Sequence, residues 1–428
     1  MPQAWECPRA PERSVFDIRV VRSAGGNNAD GPHGRPRSGE DLRPRLERLI
    51  LRPIDNSVLR NLGLAALAWF LLIAAAITAW WVFTPIRQDA LDNDLTLVYI
   101  GARIGLDHGW AHIYSLDLQH QVFAQLRPGV PFGDGERFLS PPPAAWLLVP
   151  LTPAGPQAAF FVWIALLVAA LIAAWWLAAP GTGLARYLWL LAAFAWYPIL
   201  YSLSLGQPVV LVMLGVIACW RLAESGKPYV AGAVLGLSVL KPQVALAVPL
   251  VLLAAGRWRI TAAWVVTMGL LGVASLAVVG MQGVNDYRSL LSEAQGVVNN
   301  RFFTWAFVVG PGPASYAVEA VVIVLGVVAA YLNRGAGLAR IVALGLLTSM
   351  MSATYWHLQD FAILAGAAWL FLRDQPPNWQ RAWLAVVAIT AELAWPLGPL
   401  PILLAVAVWF AMVAIPRHES KPALAARA

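Results

Sequence analysis

Charge is what this chain has least of. Asp, Glu, Lys and Arg make up 12% of its 428 residues, whereas 59% are hydrophobic and the mean hydropathy is +0.64. A soluble globular chain carries roughly 25% charged residues. Length alone would suggest two or three soluble domains, but composition overrules it. Cysteine is almost missing: Cys7 and Cys219 are the only two, which excludes a disulfide framework and argues against a Cys-based metal site. The first residues lack the apolar core of a cleaved signal peptide. No strand-like alternation of the kind a membrane barrel needs is visible. A P-loop and a dinucleotide-binding glycine fingerprint are both missing, and no polar stretch could hold a nucleotide-binding domain. ATP-driven and nucleotide-sugar chemistry are therefore disfavoured.

Long apolar runs are what the chain has instead. In lipid every backbone polar group must be satisfied internally, which apolar helices do. The first span falls at about 61–83, and further apolar segments lie near 141–178, 185–204, 208–223, 229–255, 259–280, 313–332, 339–355, 358–372, 382–395 and 397–415. We expect an all-α polytopic membrane protein of roughly ten to twelve spans, short or re-entrant segments included. Residues 1–58, rich in Arg, Pro and Gly, read as a disordered cytoplasmic tail with a short juxtamembrane helix. The membrane domain covers 59–416, and a second cytoplasmic tail covers 417–428.

The formal net charge of +7 reflects topology rather than nucleic acid. Basic residues sit in the tail and in the short joins Arg221–Lys227, Arg257–Arg259, Arg334–Arg340, Arg373–Arg381 and Arg417–Lys421. Such joins belong in the cytoplasm. All of them fit there if 229–255 is broken at Lys241-Pro242 into two half-spans, because proline ends a helix by removing a donor and crowding the previous turn. The three prolines at 141–143 suggest that 141–178 opens with an interfacial or re-entrant helix. Two polar loops, about 84–140 and 281–312, then face outward. The 21 tryptophans suit interfacial belts and sugar-stacking surfaces alike.

The first outside loop carries Asp89, Asp92 and Asp94 directly after a span. Sugar transfer to a hydroxyl needs a carboxylate that takes the proton. Asp94 is the candidate because it opens an apolar, Tyr99-bearing stretch that would hold it in place. A solvated acidic cap is the competing reading. Asp92-Asn93-Asp94 has the form of a metal-binding Asp-x-Asp, a weak signal that leaves a divalent metal open. No cofactor is assigned. Gln207, in the Gly206-Gln207 pair between apolar runs, is able to bond a sugar hydroxyl or to join helices as intramembrane glue. Lys241 is one of only three lysines and lies in mid-run. It calls for an anion partner, either a lipid phosphate or a carboxylate of the first loop. His357 and Asp360, at i and i+3, share a helical face. They read either as an imidazole with its orienting acid or as a polar pair capping a membrane helix.

Together these features resemble glycosyltransferase family 87, the polyprenyl-phosphate-mannose-dependent mannosyltransferases of the GT-C superfamily. The resemblance spans about 60–415. It rests on Asp94 through Tyr99 to Ala102, Tyr114 to Asp117, Phe138 with the prolines after it, Gly206-Gln207, and Gly232 and Gly236 before Lys241-Pro242. Pro208-Val209 after the Gly-Gln pair departs from the family's usual Val-Asn. The resemblance implies a GT-C-type fold with its active site on the extracytoplasmic side of a bacterial cytoplasmic membrane. It also implies a polyprenyl-phosphate sugar donor, commonly mannose, an acceptor that is a glycolipid or a polysaccharide, and inversion at the anomeric carbon. Asp94 would be the base and His357 a second catalytic group. Lys241, Gln207, Tyr99, Asp92 and Asp360 would contact substrate, with Lys241 on the phosphate. No nucleic acid is expected as a partner, and membrane lipids are. A transporter or lipid flippase is the rival reading, but it predicts inverted repeats that the sequence does not display. A scaffold would leave Lys241 without a role.

Overall fold

The computed structural model describes residues 56–133 and 135–416. The N-terminal tail up to residue 55, Asp134 and the expected tail 417–428 lie outside the described residues. The chain divides after Val58 into two units, and the second begins at Leu59. The described residues of this second unit form helices joined by short turns, with no strand among them. The protein is an all-α polytopic membrane protein.

The helices are α1 (Asn56–Val82), α2 (Asp94–Asp107), α3 (Leu116–Leu126), α4 (Pro142–Leu148), α5 (Pro156–Ala178), α6 (Gly183–Ala195), α7 (Tyr197–Ser204), α8 (Val209–Glu224), α9 (Pro228–Leu235), α10 (Ala247–Ala254), α11 (Trp258–Gly296), α12 (Pro313–Leu332), α13 (Leu338–Met351), α14 (Ile363–Arg373), α15 (Asn378–Glu392) and α16 (Pro399–Ala414), with shorter turns between. Among the described residues four stretches are long and apolar enough to cross a membrane: Leu59–Val82, Pro156–Ala178, Trp258–Gly296 and Pro313–Leu332. A fifth counts if α6 and α7, bent by 58°, form one span. Shorter apolar helices at Pro228–Leu240, Pro242–Ala254, Leu338–Met351 and Pro399–Ala414 accompany them; each is below the ~20 residues that cross a bilayer unaided.

Burial explains which faces meet lipid. Trp69, Phe70, Ile73, Trp80 and Trp81 of α1 are exposed, as are Val266, Leu270, Val273 and Leu276 of α11. In water such surfaces would be costly; in hydrocarbon they are the favourable side. α13 is buried along its whole length and packs against α10, α14 and α16 at the centre.

Two breaks position the functional residues. The α9 helix tightens into a 3-10 turn over Gly236–Leu240, Lys241 adopts φ −153° and ψ 78°, and Pro242 restarts the chain. The break expected at Lys241-Pro242 is therefore present. In α11, Gly280 takes φ 60° and ψ −171°. A straight 39-residue helix would run roughly 58 Å; the kink ends the apolar part and turns 281–296 away. That segment meets the other polar loop: Glu293 pairs with Arg137, Gln282 bonds His112 at 3.3 Å, and the Tyr287 and Tyr114 rings lie 4.8 Å apart. The two loops read as outward-facing thus pack on each other.

Two of the basic joins, at Arg340 and Arg373, sit on helix ends. Arg373, at the C-terminus of α14, donates to Ala178 O at the end of α5 (2.7 Å) and lies over the Trp220 ring near the end of α8. Arg340 is buried, pairs with Asp374 at 2.9 Å and donates to Ile415 O and Val413 O at the end of α16. These cations satisfy terminal carbonyls and oppose the negative helix ends.

Candidate active site

Asp94 is held by its own helix start. Asn93 is the N-cap of α2: its Oδ1 accepts from Thr96 N at 3.1 Å, while Thr96 Oγ1 donates to Leu91 O at 2.9 Å. An acid in the first turn faces the positive end of the helix dipole. The loop before it is clamped by Arg127 of the first polar loop, which donates to Asp89 (2.8 Å) and Asp92 (3.1 Å). Partial burial works against the charged form of Asp89, but the Leu91 N–H and the Arg127 guanidinium hold its carboxyl below the usual range.

Gly206 presses the next residue against Asp94. It has φ +68°, and a Cβ there would lie 2.7 Å from Leu95 Cβ. Its carbonyl accepts from Trp163 Nε1 at 2.8 Å, and Leu95 N donates to the neighbouring Leu205 O at 3.1 Å. Gln207 follows and donates from Nε2 to Asp94 Oδ2. Gln207 Oε1 accepts from Lys241 Nζ at 2.7 Å. Lys241 Nζ lies 2.5 Å from Asp360 Oδ1, and Asp360 Oδ2 accepts from the His357 backbone N–H at 3.0 Å. The 3-10 turn Leu358–Ala362 that carries Asp360 packs against α7, just ahead of Gln207.

His357 has a defined tautomer. Asn300 donates from Nδ2 to Ala294 O at 2.7 Å, which turns its Oδ1 toward His357 Nε2, 3.2 Å away. That nitrogen therefore carries the proton, and Nδ1 accepts from Gln359 Nε2 at 3.3 Å. Burial keeps the imidazole below its ordinary range, with Lys241 acting in the same direction and Asp360 and Asp94 against it.

Asp94, Gln207, Lys241, His357 and Asp360 thus come together in one polar cluster from four separated stretches of chain. Asp92 stands beside them, exposed and paired with Arg127. Tyr99 does not join: it is buried in the packing of α2, and its hydroxyl donates to Thr152 O at 3.1 Å. Two members of the neighbourhood had no sequence signal of their own. Arg127 was one arginine among four in its loop. Asn300 acts through a contact 57 residues away. Among the described residues no group of three His, Cys, Asp or Glu side chains is arranged to hold a metal ion.

A cavity of about 350 Å³ opens at Asp94. Asp92, Arg127, Glu136, Tyr201 and Ser204 line it, with apolar walls from Ile86, Leu97 and Phe123. No protein group among the described residues bonds Asp94 Oδ1. One carboxylate oxygen is therefore held by Gln207, and Asp94 is at the same time part of the cavity lining. Burial pushes the Asp94 carboxyl above its ordinary value of 3.8; the Gln207 hydrogen bond and the Lys241 charge restrain that rise.

A carboxylate held in this way is able to take up a proton, and one comparison with known families bears on the chain. A model of glycosyltransferase family 87 matches residues 138–343. The matched segment holds Gln207, Lys241 and Asn300; Asp94, His357 and Asp360 lie outside it. It is just under half of the chain and supports a membrane glycosyltransferase, which uses a sugar donor and an acceptor. Comparison with curated proteins and with solved structures gave no match.

Gly206→Ala should disturb this glycosyltransferase-like site with little else changed. A side chain is strained at φ +68° and its Cβ would meet Leu95. We expect a loss of about 1–3 kcal/mol in stability, read by thermal melting, and a fall in transfer rate as Gln207 is displaced from Asp94. A variant with wild-type melting and wild-type transfer would show that the turn is not what sets Gln207.

Proposed function

We propose that this protein moves a sugar, with mannose the leading candidate, from a polyprenyl-phosphate donor to a glycolipid or polysaccharide acceptor on the extracytoplasmic face of a bacterial cytoplasmic membrane. The observation that carries the reading is Asp94. Its carboxylate is half-buried at the rim of a polar cavity, fixed through one oxygen and free through the other.

The chemistry follows from that geometry. Asp94 takes the proton of an acceptor hydroxyl as the hydroxyl oxygen bonds the anomeric carbon and the bond to the donor phosphate breaks. A single displacement inverts the anomeric configuration. The leaving phosphate needs cationic stabilisation, and Arg127 is the cation among the described residues lining the cavity. The donor's lipid tail remains in the bilayer, which accounts for a site at the ends of membrane helices. Positively charged joins favour the cytoplasm. Gln207 stands just before α8, and Arg221 lies near the other end of that helix, roughly 20 Å away at ~1.5 Å per residue. That separation supports an outward-facing site.

The donor class is tested by giving the purified chain labelled mannose on polyprenyl phosphate or on a nucleoside diphosphate, with a membrane-lipid extract as acceptor source. Label should leave the polyprenyl phosphate only. Transfer from the nucleotide sugar alone would overturn the donor assignment.

The rate should also carry the signature of a base shielded from water. Asp94 must be ionised to act, and its pKa is raised. Activity is therefore present above that raised value and lost as pH falls through it, so the acid limb of kcat/KM lies above 3.8. A limb at or below the ordinary aspartate value would contradict the assignment.

A further inference from the structure

Gln207 is held at both ends of its amide. A lysine ammonium has only donors, so the Gln207 atom 2.7 Å from Lys241 Nζ is the carbonyl oxygen. The amide nitrogen is left to face Asp94, and it donates to Oδ2. A turned amide would set N–H groups against the ammonium and a carbonyl against the carboxylate. Two attractive contacts would become two repulsive ones. Lys241 in turn is set by Asp360, whose side chain is fully buried and whose other oxygen is taken by the His357 N–H.

We infer that Asp360, Lys241 and Gln207 form a polar relay that locks the Gln207 amide as a donor to Asp94, making Lys241 a positioning residue for the base rather than a ligand of the donor phosphate. The catalytic meaning of the relay rests on the transferase reading; the lock itself does not. Three observations carry it. The Lys241 charge is already matched at 2.5 Å by a carboxylate with no exposure, so it is not waiting for an anion. Its side chain is only 9% exposed, and neither Lys241 nor Gln207 lines the cavity at Asp94. Gln207 hydrogen-bonds both Asp94 and Lys241.

The relay has a use. Removal from water favours the protonated, inactive form of Asp94. A hydrogen bond donated to Oδ2 and a cation one residue behind it favour the ionised form. Holding Oδ2 also fixes the carboxylate, whose misplacement by about 1 Å costs on the order of 10²-fold in rate. Lys241, His357 and Asp360 are the charged groups that act on Asp94 from its own cluster, Tyr355 also feels its charge, and Asp92, Arg127, Glu136 and Tyr201 line the cavity.

The test uses the full chain in lipid nanodiscs and three variants: Gln207→Met, the paired change Lys241→Met with Asp360→Asn, and all three together. Changing the pair together leaves no buried charge alone. Two quantities are read. One is the titration midpoint of the Asp94 carboxyl by infrared difference, with Asp94→Asn as the subtraction control. The other is kcat and KM with labelled polyprenyl-phosphate mannose.

Lys241 restrains the Asp94 carboxyl more than Asp360 raises it, so the midpoint should move up in every variant. We expect kcat to fall by about 10²-fold in each, the donor KM to stay within about two-fold, and the triple variant to be no slower than Gln207→Met. Losses that multiply in the triple variant, or a raised donor KM at unchanged kcat in the paired variant, would overturn the relay in favour of a direct phosphate contact. If the wild type transfers no sugar, the titration still decides. A midpoint raised in all three variants supports the lock while the transferase reading falls, and an unmoved midpoint overturns the lock.

Discussion

Lys241→Met alone should destabilise the protein by about 3–5 kcal/mol, the usual consequence of removing one partner from a buried ion pair. Asp360 is fully buried, and Lys241 is its ion-pair partner at 2.5 Å. Methionine has similar length and no charge, so packing around the break at Lys241-Pro242 would be largely kept. What remains is a carboxylate inside an apolar bundle, which must either stay charged at a high desolvation cost or take up a proton. The Asp360 bond to the His357 N–H compensates for only part of that. The check is thermal melting in a fixed detergent, beside the paired variant Lys241→Met with Asp360→Asn. The pair should recover most of the loss, because two neutral groups of similar volume replace two matched charges. Equal melting of the single variant and the wild type would mean that Lys241 and Asp360 do not depend on each other.

Asp94→Asn should leave the fold standing and lower transfer by about 10²–10⁴-fold, the usual contribution of a general base. Asparagine fills the same space and still accepts a hydrogen bond from Gln207 Nε2. The loss of an acid from the first turn of α2 costs about 0.3–1 kcal/mol, and the desolvation of a carboxylate is relieved. Melting should therefore change little while the rate collapses. A decrease in rate matched by an equal loss of folded protein would make Asp94 structural, and unchanged transfer would remove it from the mechanism.

How much of this was legible in the sequence differs by residue. Asp94, Lys241, His357 and Asp360 stood out because ionisable groups are costly in an apolar chain, and that cost is local and visible. Their pairing was not visible. Lys241 was read as facing either a lipid phosphate or a carboxylate of the first loop; the structure sets it against Asp360. Tyr99 shows the reverse error of scale. An aromatic hydroxyl beside an acid suggests substrate, yet its partner is the Thr152 carbonyl, 53 residues on.

The backbone divides in the same way. Proline at 242 announces its break through intrinsic geometry, and the break is present; the kink at Gly280 is not singled out by its sequence. The 58° bend between α6 and α7 was missed, although Pro198 stands beside it. The bend is held by remote partners: Glu392 accepts from Tyr197 N at 2.8 Å, and Trp196 Nε1 donates to Ala388 O at 3.1 Å. A run such as 185–204 cannot display a cap supplied by α15. Arg127 was hidden for a similar reason, since its meaning lies in Asp89 and Asp92 on the far side of α2.

The most direct test of sugar transfer by Asp94 is the product itself. Purified wild-type protein would be incubated with labelled polyprenyl-phosphate mannose and a membrane-lipid extract, and the anomeric configuration of any new glycoside determined. The account predicts a labelled product of configuration opposite to the donor's. A product of retained configuration would contradict single displacement with Asp94 as base, and no product from folded protein with any polyprenyl-phosphate sugar would contradict the transferase reading as a whole.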